Sequence, residues 1–521
     1  MNESVLSGPE LPGLDLQPGA PPPAPVASAP PRARFKLVDR SQQVWHPVDL
    51  ENLIEEEHPA RAIWALTGRV DLKSFYAPIE AVEGVAGRTP WDPRVLISLW
   101  IYAYSRGISS AREIARRCTF EPAFQWLCGM EPINYHTLSD FRVAHGTALQ
   151  ELFTELLGVL SAQGLVRLER GMHDGTKIKA FASGDTFRQE ERLQVHLEAA
   201  RQQVEKLAQE APDEPTRQQA AQQRVARERQ QRVEQALEQL EQVRQTKRDA
   251  KEKEAVRVST SDPEARIMKQ ADGGFAPSYN AQITTDATQK IIVASALSQN
   301  SSDYGELMGA VERVKQNLQA KPSQMVVDGG YTSRENILGM AVEGIDLIGS
   351  FGEQQAKGVS AQRRHGTNAD FTAAAFEYDA QQDVYHCPAG KDLQLVGQSE
   401  RIGVVQHLYR AQSSACQACP FKAQCCPQSS QGRSVTRSVD VPEVQRFREK
   451  MQTPQAREIY RQRAPVAEFP NAWIKDKLGL RQFRLRGLIK ARLELLWACL
   501  TYNINQWMRL CWRPSLAVSQ N

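Results

Sequence analysis

A mixed α/β fold is predicted for this chain of 521 residues by three features. Short apolar, strand-like runs alternate with helical periodicity between about residues 279 and 349, the pattern of a mixed sheet with helices packed on it. Two strand-like runs, Met172-His173-Asp174-Gly175-Thr176 and Met325-Val326-Val327-Asp328-Gly329-Gly330-Tyr331, each deliver an aspartate before small residues. A helical N-terminal region precedes the sheet. Two inserts interrupt it, one a helical hairpin and one a small cysteine-rich segment.

The bulk numbers narrow the class. Hydrophobic content of 41% and charged content of 24% are ordinary for a soluble globular protein. A net charge of +3 means that any nucleic-acid surface must be local. The longest apolar stretches, Val95 to Tyr104 and Leu493 to Leu500, are too short to span a bilayer. No secretory signal opens the chain, so a cytoplasmic protein is expected. Five of the nine cysteines cluster between Cys387 and Cys426, which favours a metal in a reducing compartment over a disulfide scaffold.

The elements follow in order. Residues 1–33 are rich in Pro, Ala and Gly and bury too little apolar surface to order themselves, so a disordered tail is expected. Residues 34–165 read as a helical, DNA-binding domain. Pro93 opens one helix, Ser109-Ser110-Ala111-Arg112-Glu113 caps another, and Thr137 with Asp140 reads as a variant capping box. The helix after Thr137 carries Arg142. Arginines near the starts of short helices suit docking on DNA, although a helical bundle with a solvated basic face has the same pattern.

A strand is expected near 171–181. The insert 188–257 is dense in Gln, Glu, Arg and Lys, with sparse apolar positions such as Leu193, Leu197, Val233, Leu237 and Leu240. It reads as a helical hairpin or coiled coil, and its balanced charge favours a solvated or self-associating arm over a DNA-binding one. Strands at Tyr279–Asp286 and Lys290–Leu297 form a hairpin. A helix from about Asp303 to Leu318, a strand Gln324–Asp328, a helix Ser333–Val342 and a strand Ile345–Gly349 follow. Residues 351–455 read as irregular and contain the cysteine-rich insert, 377–440. A last helical stretch runs from Pro465 to Leu510, before a tail at 513–521. The catalytic sheet domain is therefore expected from 166–187, 258–350 and 456–512.

Asp328 ends an apolar strand, and ligands collect at such carboxyl ends in open α/β sheets. Asp174 can lie alongside it. Glu468 lies far downstream, with Lys475 seven residues later on the same helical face. Pro470 falls between them, so the helix is kinked there or starts later. Three acids of this kind can hold two divalent ions, roughly 3.5–4 Å apart, for an in-line displacement at phosphate. Magnesium (or manganese) suits carboxylates plus phosphates. Tyr460 and Arg463 flank the third acid and are candidates to position a DNA backbone. Asp286, Asp303 and Asp346 read as turn or structural residues.

The motifs carry a resemblance. The helical region ending in Tyr135-His136-Thr137-Leu138-Ser139-Asp140-Phe141-Arg142 is followed by His173-Asp174-Gly175-Thr176, Tyr279-Asn280-Ala281-Gln282 and Val327-Asp328-Gly329-Gly330-Tyr331. Tyr460-x2-Arg463-x4-Glu468-x6-Lys475 completes the series. In order and spacing the chain, from about residue 40 to 510, resembles a bacterial insertion-sequence transposase of the IS1182 group, within the IS4/IS5-like DDE class. Pro470 and the long Gln/Glu/Arg insert depart from the family pattern. The resemblance implies an RNase H-like catalytic fold with Asp174, Asp328 and Glu468 as the metal-binding triad. It also implies cleavage at terminal inverted repeats and joining of freed 3′ ends to target DNA. Pairing two element ends implies at least a dimer in the working complex.

Cys387, the pair Cys416 and Cys419 of a CxxC knuckle, and Cys425 are assigned as ligands of one structural zinc ion. Cys426 is an alternative to Cys425, because spacing does not decide between them. Cys118, Cys128, Cys499 and Cys511 are expected in the core. Lys475, Lys477, Arg481, Arg484, Arg486, Lys490 and Arg492 follow the third acid with few acids among them and suit phosphate contact. Two other readings share the motifs. One is a binding-only relic or repressor. The other is a metal-dependent nuclease that stops at free ends.

Overall fold

The computed structural model describes residues 47–81, 89–210, 216–247, 249–351, 366–400 and 404–512. The Pro/Ala-rich segment 1–33 and the tail 513–521 lie outside the described residues. All that follows concerns the unit Asp49–Asn521.

Seven helices come first: α1 (Pro59–Thr67), α2 (Lys73–Tyr76), α3 (Pro93–Ser105), α4 (Ala111–Arg117), α5 (Pro122–Cys128), α6 (Tyr135–Ala144) and α7 (Gly146–Ala162). Their starts follow the local chemistry. Proline stands in the first turn of α1, α3 and α5. Asp92 and Ser110 accept backbone N–H groups at the starts of α3 and α4. The cap of α6 is Asn134, which accepts from the His136 N–H, and Thr137 lies inside the helix. The expected capping box there gives way to a better Asn cap three residues earlier.

Strand β1 (Arg170–Lys179) leads into β2 (Phe187–Arg188) and the Gln-rich insert. The insert contains α8 (Glu190–Gln209), α9 (Arg217–Thr246) and the short α10 (Ala250–Glu254). Leu193, Ala236 and Leu240 bury against Val256 and Val258, and most other positions of the two long helices stay in water.

Strand β3 (Val258–Ser259) pairs with β2 in a separate two-stranded sheet, and the main sheet is completed by β4 (Arg266–Lys269), β5 (Phe275–Asp286), β6 (Ile292–Ser298), β7 (Gln324–Val327) and β8 (Asp346–Gly349). Helices α11 (Leu307–Leu318) and α12 (Arg334–Val342) connect its later strands. The order is β4-β5-β1-β7-β8, with β6 also on β5. β1 runs antiparallel to β5 and parallel to β7, and β7 parallel to β8. Met325, Val326 and Val327 are all fully buried, as expected of a strand covered on both faces.

Residues 377–440 are not irregular. Strands β9 (Glu377–Asp379), β10 (Val384–His386), β11 (Asp392–Glu400), β12 (Val404–Ala411) and β13 (Ser434–Asp440) form a five-stranded antiparallel sheet. Between β12 and β13 lie α13 (Ser413–Gln417) and α14 (Lys422–Cys425). Almost all of β11 is exposed, so it lacks the apolar alternation that marks a strand in sequence.

Four helices close the chain: α15 (Pro442–Gln452), α16 (Pro454–Arg461), α17 (Ala464–Asp476) and α18 (Leu488–Leu510). The expected single stretch from Pro465 is thus broken at 477–487, where Gly479 and Gly487 take positive φ angles of 72° and 85°. Pro470 sits inside α17 and is buried, and the helix continues through it. Helix α18 joins the molecule. Its Trp497 ring lies 6.4 Å from that of Trp100 on α3, and its Nε1–H donates to the Arg142 carbonyl at 3.2 Å. One buried cluster runs from Ile54 to Trp507, so the N-terminal helices and the sheet share a core. Among the described residues no helix is long and apolar enough to cross a membrane.

Candidate active site

Side chains alternate along β1, and its two faces do different things. Asp174 and Thr176 face α17. Asn471 Nδ2 donates to Asp174 Oδ2 at 3.0 Å, and Lys475 Nζ donates to Thr176 Oγ1. Glu468, Asn471 and Lys475 follow at three and four residues, so one stripe of α17 lies over this part of the strand.

Met172 pairs with Val326 across the parallel ladder. Continuing that register by two residues sets Asp174 beside Asp328, just past the end of β7. Burial pushes the Asp174 carboxyl up to about 6; the Asp328 charge acts in the same direction and the Arg463 guanidinium against it. Asp328 Oδ1 accepts the Gly330 N–H at 2.8 Å, which fixes its own turn.

Arg463 links the acids from α17's first turn. It lies 3.6 Å from Asp174 Oδ1 and 3.5 Å from Glu468 Oε1. Glu468 is the outlying member, with 59% of its side chain exposed. Among the described residues no three acidic, histidine or cysteine side chains lie close enough to enclose an ion. The structure therefore brings Asp174 and Asp328 together and ties Glu468 to Asp174 through Arg463. Tyr460, expected at the DNA backbone, is half-buried and packs against the apolar set Met172, Val326, Ile348, Ala456 and Ala467.

Lys475 is half-buried. Burial lowers its pKa from the ordinary lysine range, the Arg481 charge acts likewise, and Asp174 opposes both. Arg484 and Arg486 lie exposed on the 477–487 loop. Glu494 Oε2 holds the Arg484 backbone N–H at 2.9 Å, and the Arg486 guanidinium stacks 4.9 Å from the Phe181 ring centroid.

Arg142 is not on a DNA-facing surface. It is 6% exposed, donates to the Ser109 carbonyl at 2.7 Å and lies 4.7 Å from the Trp100 ring centroid. The buried carboxylate of Glu494 is its electrostatic counterpart. It is a core residue of the helical region.

The opposite face of β1 holds residues whose roles the sequence did not reveal. His173 is fully buried; its Nδ1 meets Thr284 Oγ1 at 2.8 Å and its Nε2 meets Gln282 Oε1 at 2.9 Å. Burial lowers its pKa to about 4, so it is neutral at physiological pH. Gln282 also accepts from Tyr331 Oη at 2.6 Å and donates to Asp303 at 2.8 Å. Asp303 further accepts from Asn280 at 2.6 Å and pairs with Lys177 at 3.3 Å. It is the hub of this network rather than a turn residue. Polar residues at every second position of β5 read from sequence as a solvent face, and that reading hides them.

Two family matches bear on the whole arrangement. Residues 48–144 match a family described as a transposase domain (DUF772), and residues 386–508 match one described as a transposase DDE domain. Both segments thus resemble transposase domains, the second of the DDE type. The second matched segment contains Glu468 and Lys475, while Asp174 and Asp328 lie between the two segments. No curated protein matches this chain. Among solved structures, a piggyBac transposase synaptic complex with hairpin DNA is similar over 88% of this chain and 75% of that one, at 8% identity. Its TM-score of 0.29 is too low to bear on this fold.

The cysteines of the chain divide by surroundings. Cys387, Cys416, Cys419, Cys425 and Cys426 line one small pocket beside the five-stranded sheet. Backbone N–H groups of Lys391 and Arg433 each approach a sulfur, of Cys387 and Cys416, at 3.3 Å. Burial pushes the Cys425 thiol up to about 12 and raises that of Cys426. Cys118, Cys128 and Cys499 are buried as expected. Cys511 is exposed at the end of α18, where the helix leaves the core.

Proposed function

We propose that the chain is a DDE transposase of the IS1182 group and that Asp174, Asp328 and Glu468 are its catalytic acids, carried on an RNase H-like sheet. Strand directions support that fold: β6, β5 and β1 are successively antiparallel, and β7 and β8 continue parallel to β1. The observation that carries the reading is the adjacency of Asp174 and Asp328 on neighbouring strands beneath α17, the helix that bears Glu468 and Lys475.

The donor chemistry fits Mg2+ or Mn2+. Carboxylate oxygens are the ligands such hard ions take, and a buried carboxyl raised to about 6 beside a second acid gains from a cation. Asp174, Asp328 and Glu468 would hold the ions. Two bound ions supply activation of the attacking oxygen and stabilisation of the leaving oxygen. The chain's own residues do the remaining work. Asn471 orients Asp174. Lys475 and Arg463 offer charge-assisted hydrogen bonds to phosphate oxygens. Arg484 and Arg486 extend that contact along a DNA backbone, fixing position rather than reading sequence.

The substrate in this reading is the terminal inverted repeat of the element, and the freed 3′-hydroxyl is transferred to target DNA by at least a dimer. Cys387, Cys416 and Cys419, with Cys425 or Cys426, would hold one structural zinc ion. Backbone N–H groups already directed at two of the sulfurs are the outer hydrogen bonds that orient metal ligands. The test is an end duplex incubated with Mg2+ and a separate target DNA. Joined products support transposition, and cut ends that never join support a nuclease. Metal analysis of the purified protein tests the zinc: about one ion per chain is expected, and none would remove that assignment.

A further inference from the structure

Helix α9 is not uniformly charged. From Arg217 to Arg232 it has five arginines, Arg217, Arg224, Arg227, Arg229 and Arg232, and one acid, Glu228. Its acids Glu234, Glu238 and Glu241 all fall in the second half. The balanced charge of the whole insert conceals this division. None of the five arginines forms an ion pair with a carboxylate among the described residues, and all but Arg232 are exposed.

The arginines also have a direction. Ala226, Val233, Ala236 and Leu240 are the buried side of α9. Glu228, Gln231, Arg232 and Gln235 line a cleft whose other wall contains Arg486 and Lys490. Steps of three, four and seven residues put Arg224 and Arg217 on the same side of the helix as those cleft residues. The stripe from Arg232 to Arg217 thus carries three arginines and one acid, Glu228, and faces the basic segment that follows Lys475 across a cleft that also contains Glu264.

We infer that this stripe is a second DNA-backbone surface, an arm that holds duplex outside the active site. The inference rests on the reading of residues 484–490, the end of the loop and the first turn of α18, as a phosphate surface and extends it. At 1.5 Å per residue the stripe is about 22 Å long, enough to follow roughly six base pairs of backbone. Arginine without an acidic partner suits phosphate, because its fork of donors is free to bind two oxygens. Side chains on one outer helix face follow backbone and do not enter a groove, so the arm contributes affinity without sequence preference.

The test is the salt dependence of binding, measured by fluorescence anisotropy on two random-sequence duplexes. One is long enough to cross loop and arm, and the other is shorter by the arm's length. The variants are Arg217→Gln with Arg224→Gln and Arg232→Gln, and separately Arg486→Gln with Lys490→Gln. Glutamine keeps helix propensity, and circular dichroism checks that the arm remains folded. The arm variant should lose roughly two to three from the slope of log affinity against log salt on the long duplex, and nothing on the short one. An unchanged slope on the long duplex in the folded variant overturns the arm. The loop variant should weaken binding to both duplexes. Wild-type binding by that variant overturns the underlying loop reading, whatever the arm variant does.

Discussion

Asn471 Nδ2 lies 3.0 Å from Asp174 Oδ2 and ties the middle of α17 to the middle of β1. The amide is 6% exposed, and its Oδ1 has no protein partner among the described residues. Its strongest bond is to a carboxylate assigned to catalysis. Asn471→Ala should slow single-turnover nicking by about 10- to 100-fold, the equivalent of one charge-assisted hydrogen bond, with little change in DNA affinity. Wild-type nicking would show that Asp174 needs no such orientation.

Asp174 also predicts a pH dependence. Its folded-state pKa, about 6, is above the ordinary aspartate value of 3.8. The protonated carboxyl therefore favours folding below the unfolded pKa, and that contribution is lost as pH rises through about 6. In metal-free protein, Asp174→Asn should unfold later than wild type at about pH 8, by of the order of 1–3 kcal/mol, and the advantage should vanish near pH 4. Chemical denaturation in the presence of chelator measures it. A variant less stable than wild type at the higher pH would contradict the buried, unneutralised carboxylate.

Arg142 belongs to the core, and its loss should act on stability rather than on DNA. Arg142→Met removes the bond to the Ser109 carbonyl and the charge that partly offsets the burial of Glu494, at a cost of roughly 1–3 kcal/mol. The salt slope of DNA binding, measured below the unfolding temperature, should stay at the wild-type value. A reduced slope with unchanged stability would return Arg142 to a DNA-facing role.

Gly175 is where the two faces of β1 meet. A Cβ there would lie 2.6 Å from Asp303 Oδ1, 2.6 Å from Gln282 Nε2 and 2.7 Å from Tyr331 Oη. Gly175→Ala should force the network aside, destabilise the protein by about 1–3 kcal/mol and displace Asp174. Nicking should fall even at temperatures where the variant is fully folded. Retained activity would separate the network from the site.

These cases show what the sequence made legible. Asp174 and Asp328 stood out because each interrupts an apolar strand, and the ladder does set them side by side. The alternation of strands and helices after Tyr279 likewise gave the later sheet. The sequence could not distinguish a basic residue that reaches solvent from one held in the core: Arg142 lies over the Trp100 ring, in the field of Glu494 more than three hundred residues away. It missed β11 because a sheet wetted on most positions has no apolar alternation. It missed Asp303 because three of its partners come from β5 and β1, and only folding brings them together. Pro470 looked like a helix break, yet its buried ring packs within α17 and the stripe from Glu468 to Lys475 survives.

The central claim is that the carboxylate at the end of β7 is catalytic. Cleavage of a duplex carrying the element's own end sequence, with Mg2+, should compare wild type with Asp328→Asn. The account predicts that the variant binds the duplex as wild type does and does not nick it. Equal nicking by the two proteins would contradict the assignment of Asp328 and the acidic site built around it.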